Sequence, residues 1–269
     1  MAARPGVKEL IEVIRPYPVE YLYKYRSMGS AGLVELFSER KIYLNNATKF
    51  NDPFECRPAL TYHQSALKRQ LLLKEMTRHH FPDANRQAVR KLMKGKDHLL
   101  TNPTVLEASY QGFVNTVGIY CLSERNDDIL MWSHYADSHQ GLCLQFDAST
   151  EKTIFWEAFK VVYQEEYPVV NIMDMGKAEE FRKALLTKSD HWNYEQERRI
   201  LKMELEGGPG HYSFAPELLK GVILGALMTD EDRNTLLNWI KKYPAKISVY
   251  QAALNGSRYQ LNITETIQA

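Results

Sequence analysis

The strand-forming segments of this 269-residue chain are short and widely scattered, and that dispersal is the strongest constraint on what it can fold into. Apolar, β-branched or alternating runs recur at 22–25, 42–44, 117–123, 142–146, 161–163, 198–203, 222–224, 247–252 and 259–263. A strand this short cannot bury its own apolar face, so these runs must be gathered from across the chain into a sheet. Helical patterns separate them, over 30–40, 174–187 and 230–242, and from an Asp127 or Asp128 cap to about 138. The expected fold is therefore α+β, with a mixed, mainly antiparallel central sheet and flanking helices. The stretch 62–115 is helical in composition, with no β signal and with breaks near Pro82 and Pro103. It reads as a helical insertion within a single domain covering 1–269.

Charge excludes one class of partner. Lys plus Arg number 34 against 33 Asp plus Glu, a net charge of +1, so nucleic-acid binding by bulk electrostatics is not expected. A local basic groove is still open to the chain. Lys68, Arg69, Lys74, Arg78, Arg86, Arg90, Lys91, Lys94 and Lys96 stand within 62–115, where they can track phosphates or simply face water. Cys56, Cys121 and Cys143 are too scattered for a disulfide framework or a CxxC metal knuckle. With no signal-peptide pattern and no run of about 18 apolar residues, a cytoplasmic protein that does not enter a membrane is expected.

Four motifs concentrate the polar residues. In Leu22-Tyr23-Lys24-Tyr25-Arg26 two cations flank an aromatic residue on a strand, which suits a phosphate clamp or, equally, a charged edge strand. In Phe50-Asn51-Asp52-Pro53-Phe54-Glu55 the proline fixes a turn that two phenylalanines would anchor, aiming Asn51, Asp52 and Glu55 at a cleft. The segment 132–139 packs Trp132, Ser133, His134, Tyr135, Asp137 and His139 into eight residues, and on a helix His134 would pair with Asp137. Last, Glu195 and Glu197 enter a strand, where period two would set both carboxylates on one face and demand a cation or hydroxyl, from Arg198 or Arg199.

Together these motifs resemble a large bacterial family of unknown function, marked by Tyr-Lys-Tyr-Arg, Asn-Asp-Pro-Phe-Glu, Trp-Ser-His-Tyr-Ala-Asp with a following His-x-Gly, and Trp-x-Tyr-Glu-x-Glu-x-Arg. The resemblance spans roughly residues 20–265. At a second level the chain is similar to the ADP-ribosyltransferase superfamily. That similarity implies NAD as substrate, with Lys24 and Arg26 at the first motif, the 132–139 segment near the second, and Glu195 and Glu197 at the third. The usual Ser-Thr-Ser or His-Tyr first and second motifs are not literally present.

The expected activity is thus cleavage of the nicotinamide–ribose bond, acting on protein or nucleic acid. Glu197, Glu195 and His134 are the catalytic candidates. Lys24, Arg26, Tyr25, Asn51, Asp52, Trp132, Tyr135 and His139 are the candidates for holding NAD or another nucleotide. Glu197 is expected to be the essential carboxylate, as the one deeper in the strand. Tyr23, Tyr25, Trp132 and Tyr135 beside these charges suit a ligand with a flat ring and a charged linker. Two other readings are a metal-dependent nuclease or hydrolase using Asp52, Glu55, His134 and His139, and a non-enzymatic nucleotide or nucleic-acid sensor in defence against phage.

Overall fold

The computed structural model describes residues 19–62 and 65–268. Its main sheet has eight strands: β1 (Tyr21–Arg26), β4 (Gly118–Ser123), β5 (Leu142–Asp147), β6 (Phe159–Lys160), β10 (Glu197–Lys202), β12 (Leu219–Leu224), β13 (Ser248–Leu254) and β14 (Leu261–Gln268). They lie in the order β14-β13-β12-β5-β1-β4-β10-β6. Every neighbouring pair is antiparallel except β12 and β13, which helix α7 (Asp230–Lys241) joins as a crossover. The remaining strands form two-stranded sheets: β2 (Lys41–Leu44) with β11 (Gly210–Ser213), β3 (Ala59–Thr61) with β8 (Val169–Asn171), and β7 (Val162–Gln164) with β9 (Thr187–Ser189).

Helices cover the sheet on both sides, which is why β5 is buried at every position although it is one strand. Leu142, Leu144 and Phe146 point into a core closed by α1 (Leu33–Glu39) and α7, through Leu33, Leu36, Phe37, Leu236 and Ile240. Cys143 points the other way, to Tyr25, Met131 and Trp132, the last two on α5 (Ile129–Tyr135). Farther along that side, Ile119 and Leu201 pack on Tyr110 and Val114 of α4 (Pro103–Asn115) and on Phe181, Ala184 and Leu185 of α6 (Ala178–Leu185). The expected helical stretch holds α2 (Ala66–His80), α3 (Arg86–Met93) and α4, with Pro103 in the first turn of α4 behind an Asn102 cap. No described helix is long and apolar enough to cross a membrane.

One irregularity positions the site. β1 pairs with β5 along all its residues, yet with β4 at a single position, Tyr23 opposite Ser123. At the other end of β4, Ile119 is bridged instead by Asn45, with N···O distances of 3.0 and 2.6 Å. Between these two closures the ladder is open beside Tyr120, Cys121 and Leu122.

Two local expectations are corrected. The helix expected over 174–187 spans only Ala178–Leu185, and Thr187 starts a strand. The helix capped by Asp128 stops at Tyr135, because Asp137, Ser138 and His139 all take left-handed backbone, with φ of 49°, 52° and 69°. His134 and Asp137 therefore do not share a helix face. The chain is forced into this tight turn to re-enter the sheet: Gly141 N donates to Ala136 O at 2.7 Å, and a Cβ on Gly141 would sit 2.2 Å from the Arg26 carbonyl. Backbone must yield there, so Gly141→Ala is expected to cost about 1–3 kcal/mol, an overpacking penalty. Urea unfolding at constant m-value measures it, and an unchanged midpoint would remove this turn's claim to position β1.

Candidate functional site

A cavity of about 420 Å³ opens where β1 and β4 part, within the common ~300–1,000 Å³ range of ligand pockets. Tyr23, Lys24, Tyr25 and Arg26 form its β1 wall, and the open edge of β4 from Ile119 to Ser123 forms its floor. Asn45, Lys49, Phe50, Asn51 and Glu55 close it from the loop after β2, and His134 and Tyr135 from α5. Lys188, Glu195 and Glu197 complete the far wall. Side chains on both faces of β1 reach one opening because the strands are splayed rather than paired.

Beneath that wall lies a buried ionic network. Lys188 Nζ stands 2.5 Å from Glu55 Oε1, 2.6 Å from Glu195 Oε2 and 3.4 Å from Glu197 Oε2. Arg199 grips Glu197 with both ends of its fork, at 2.8 and 3.0 Å, and reaches Glu55 Oε2 at 3.0 Å and the Leu185 carbonyl at 2.8 Å. Burial would drive the Glu197 carboxyl up, but Arg199 and Lys188 outweigh it and hold the group down at about 2. Burial likewise works against the Lys188 ammonium, yet three carboxylates hold it well above the ordinary lysine range. Glu195 differs: burial raises its carboxyl even against Lys188, and its second oxygen takes only the neutral Tyr135 hydroxyl, at 2.7 Å. Three carboxylates against two cations leave one negative charge in excess on this wall.

The β1 wall has the opposite character. Lys24, Arg26 and Lys49 line the cleft without an ion pair among the described residues. Lys24 Nζ donates to the Cys121 carbonyl at 2.7 Å, across the open ladder, and lies 4.8 Å over the Tyr120 ring. Burial, with Arg26 beside it, pulls this ammonium down to about 8.

Of the sequence candidates, Lys24, Tyr25, Arg26, Asn51, His134, Tyr135, Glu195 and Glu197 meet in this cleft. Tyr25 does so as wall, 3% exposed, its hydroxyl donating to the Arg125 carbonyl. Three candidates fall outside. Trp132 is fully buried, edge-on to Tyr25 at 5.3 Å with its Nε1 donating to the Asn126 carbonyl, so it packs the core rather than a ligand. His139 stacks behind Trp132 and lines a different cavity beside 254–261, because the left-handed turn carries it away. Asp52 caps its own turn by accepting from Phe54 N at 2.9 Å and faces a separate cavity of about 520 Å³ beyond Lys188. Phe54 is 64% exposed, so Phe50 alone anchors the loop, under the Arg199 guanidinium.

With Asp52 and His139 elsewhere, the expected metal-binding set is dispersed. No group of three or more His, Cys, Asp or Glu among the described residues is placed to hold a metal ion. Nor do Glu195 and Glu197 converge by strand alternation. Glu195 ends a 3-10 turn, and Gln196 takes left-handed backbone, with φ 42°, before β10 begins. Sequence reasoning missed Lys188 and Tyr120. Two neighbouring carboxylates signal a missing cation, but nothing local says which lysine supplies it.

Residues 131–200 match a family model described as Protein of unknown function (DUF2971). The matched span carries the His134–Tyr135 and Glu195–Arg199 parts of the site, and not the β1 wall. No curated protein and no solved structure matches the chain.

The network makes a signed prediction about acid. A carboxyl held near 2 instead of 4.5 contributes stability that is present above about pH 4.5 and is lost as pH falls toward 2. Its removal in Glu197→Gln should cost on the order of 3 kcal/mol at pH 7 and flatten the acid limb of stability. Lys188→Met, which strands the carboxylates, should cost about 3–5 kcal/mol. Urea titrations from pH 3 to pH 7 read both, and a Glu197→Gln variant as acid-sensitive as wild type would rule out this role.

Proposed function

We propose that the cleft binds NAD and cleaves its nicotinamide–ribose bond, in the manner of an ADP-ribosyltransferase. One observation carries the reading: a single cavity joins unpaired cations on one wall to a wall with excess carboxylate on the other. NAD presents the matching pattern, a pyrophosphate linker for the cations and a ribosyl carbon that becomes positive during reaction for the carboxylates.

The chemistry follows from the charges. As the bond from ribose C1′ to the pyridinium nitrogen breaks, its electron pair goes to nicotinamide, which leaves neutral, and the ribose takes on oxocarbenium character. A carboxylate stabilises that charge, as in glycoside cleavage. Bonding favours Glu195 over Glu197 for this role. Glu197 spends both oxygens on the Arg199 fork, whereas Glu195 shares Lys188 with two other carboxylates and otherwise accepts only from Tyr135. Glu197 then acts by positioning Lys188. His134, exposed at the rim with its ring 6.5 Å from that of Trp192 and from that of Tyr194, is the candidate to take a proton from an incoming water or acceptor hydroxyl.

Millimolar NAD should raise the melting temperature of the protein, and Arg26→Ala should remove most of that shift. Affinity should fall as pH rises through about 8, where Lys24 loses its charge, and Lys24→Met should abolish this pH dependence. Prolonged incubation should release nicotinamide, with Glu195→Gln slowing release by roughly a hundredfold or more. The reading is overturned if NAD gives no shift while manganese or a short oligonucleotide does.

A further inference from the structure

The wall of the cleft holds a buried group that the free protein leaves unsatisfied. Tyr120 is 2% exposed, lines the cavity, and its hydroxyl has no hydrogen-bond partner in good geometry among the described residues. The Arg26 guanidinium approaches this phenol and opposes the effect of burial by its charge and as a hydrogen-bond donor, but a guanidinium only donates, so the hydroxyl proton is left without an acceptor. A buried hydroxyl without a partner bears its desolvation penalty uncompensated, and native proteins keep few such groups. The place of this one is informative. The register set by Tyr23 and Ser123 would put Arg26 opposite Tyr120 had the ladder continued, so the two side chains face each other across the gap. Lys24, above the same ring, spends one N–H on the Cys121 carbonyl and has two more to give.

We infer that Tyr120, Arg26 and Lys24 form a phosphoryl subsite, completed only when a terminal phosphate or pyrophosphate group enters the gap between β1 and β4. What is missing there is an acceptor, since all three groups have protons to donate. It should be anionic, since Arg26 and Lys24 have no carboxylate partner among the described residues. A phosphoryl group offers three oxygens to a hydroxyl, a guanidinium fork and an ammonium, whereas a carboxylate offers two. Chloride offers no fork at all. The subsite builds on the NAD reading by giving the nucleotide a direction: its phosphates lie on β1 and Tyr120, and its scissile ribose extends toward Glu195.

Tyr120→Phe tests this with two signs at once. The change removes an unsatisfied hydroxyl and keeps the ring, so the free variant should melt at or above the wild-type temperature. The same variant should bind inorganic pyrophosphate roughly tenfold more weakly by calorimetry, the worth of one hydrogen bond to a charged group. Arg26→Gln, at a partly exposed position, should lose pyrophosphate binding as well. A Tyr120→Phe variant that melts several degrees lower would mean the hydroxyl is already bonded in the free protein, and the subsite falls. Equal pyrophosphate affinity in wild type and variant, or none in wild type, also overturns it. The two proposals separate cleanly. Tyr120-dependent pyrophosphate binding without nicotinamide release upholds the subsite and defeats the transferase. Nicotinamide release with an unchanged KM in Tyr120→Phe does the reverse.

Discussion

The Lys188 ammonium, enclosed by the carboxylates of Glu55, Glu195 and Glu197, is the interaction on which the far side of the structure depends. Each of these charges is 4–5% exposed, and none would leave water alone, since desolvation costs several kcal/mol per ion. They are stable together because Arg199 supplies a second cation whose Nε–Nη2 fork fits Glu197, with Nη2 also reaching Glu55 and Nη1 the end of α6. The network therefore ties the loop after β2, the α6–β9 turn and the start of β10 into one unit that forms all at once. A missing member would strand charge in the interior, so the network rewards only the complete arrangement.

The open ladder is the complementary constraint. Strands of a sheet normally satisfy one another's backbone along their whole length. Here β4 is closed by β1 at Ser123 and by Asn45 at Ile119, and a lysine side chain substitutes for the missing strand at Cys121. The sheet keeps its continuity through β1, yet a cavity is held open in the middle of it. Such a gap would collapse if apolar side chains met across it. Lys24, Arg26 and Lys49 line it instead, and like charges resist being pressed together. The same repulsion leaves them available to an anion.

Two charge regimes thus meet in one cavity. On the β10 side the ions are paired and buried, with pKa values driven apart between Glu195 and Glu197. On the β1 side the cations have no ion pair among the described residues, and burial holds Lys24 down at about 8. Active sites set the protonation of neighbouring groups apart in this way, and so do buried ion-pair networks. The matched family brings no activity with it, so this polarity across the cleft is the strongest pointer to function.

The sequence by itself determined the elements whose causes are local. Alternation placed β1, β4, β5 and β10 within a residue or two, one of the two cap candidates, Asp128, caps α5, and the break expected near Pro103 falls at the start of α4. It also singled out Tyr-Lys-Tyr-Arg and Glu-x-Glu, whose Lys24, Arg26, Glu195 and Glu197 the structure brings to one cavity. What it left open were the short strands β3, β6, β8, β9 and β11, whose two to four residues carry no period. It also misread Trp132, His139 and Asp52 as ligand-facing. Only the tertiary structure could decide those, since a tryptophan beside polar residues turns inward or outward according to which strand lies beneath it. The identity of Lys188 as the central cation, and the burial of the Tyr120 hydroxyl beside Arg26, belong to the same class. Both arise from partners far apart in the chain, and Coulomb attraction and hydrogen bonding act through space, where no spacing along the sequence records them.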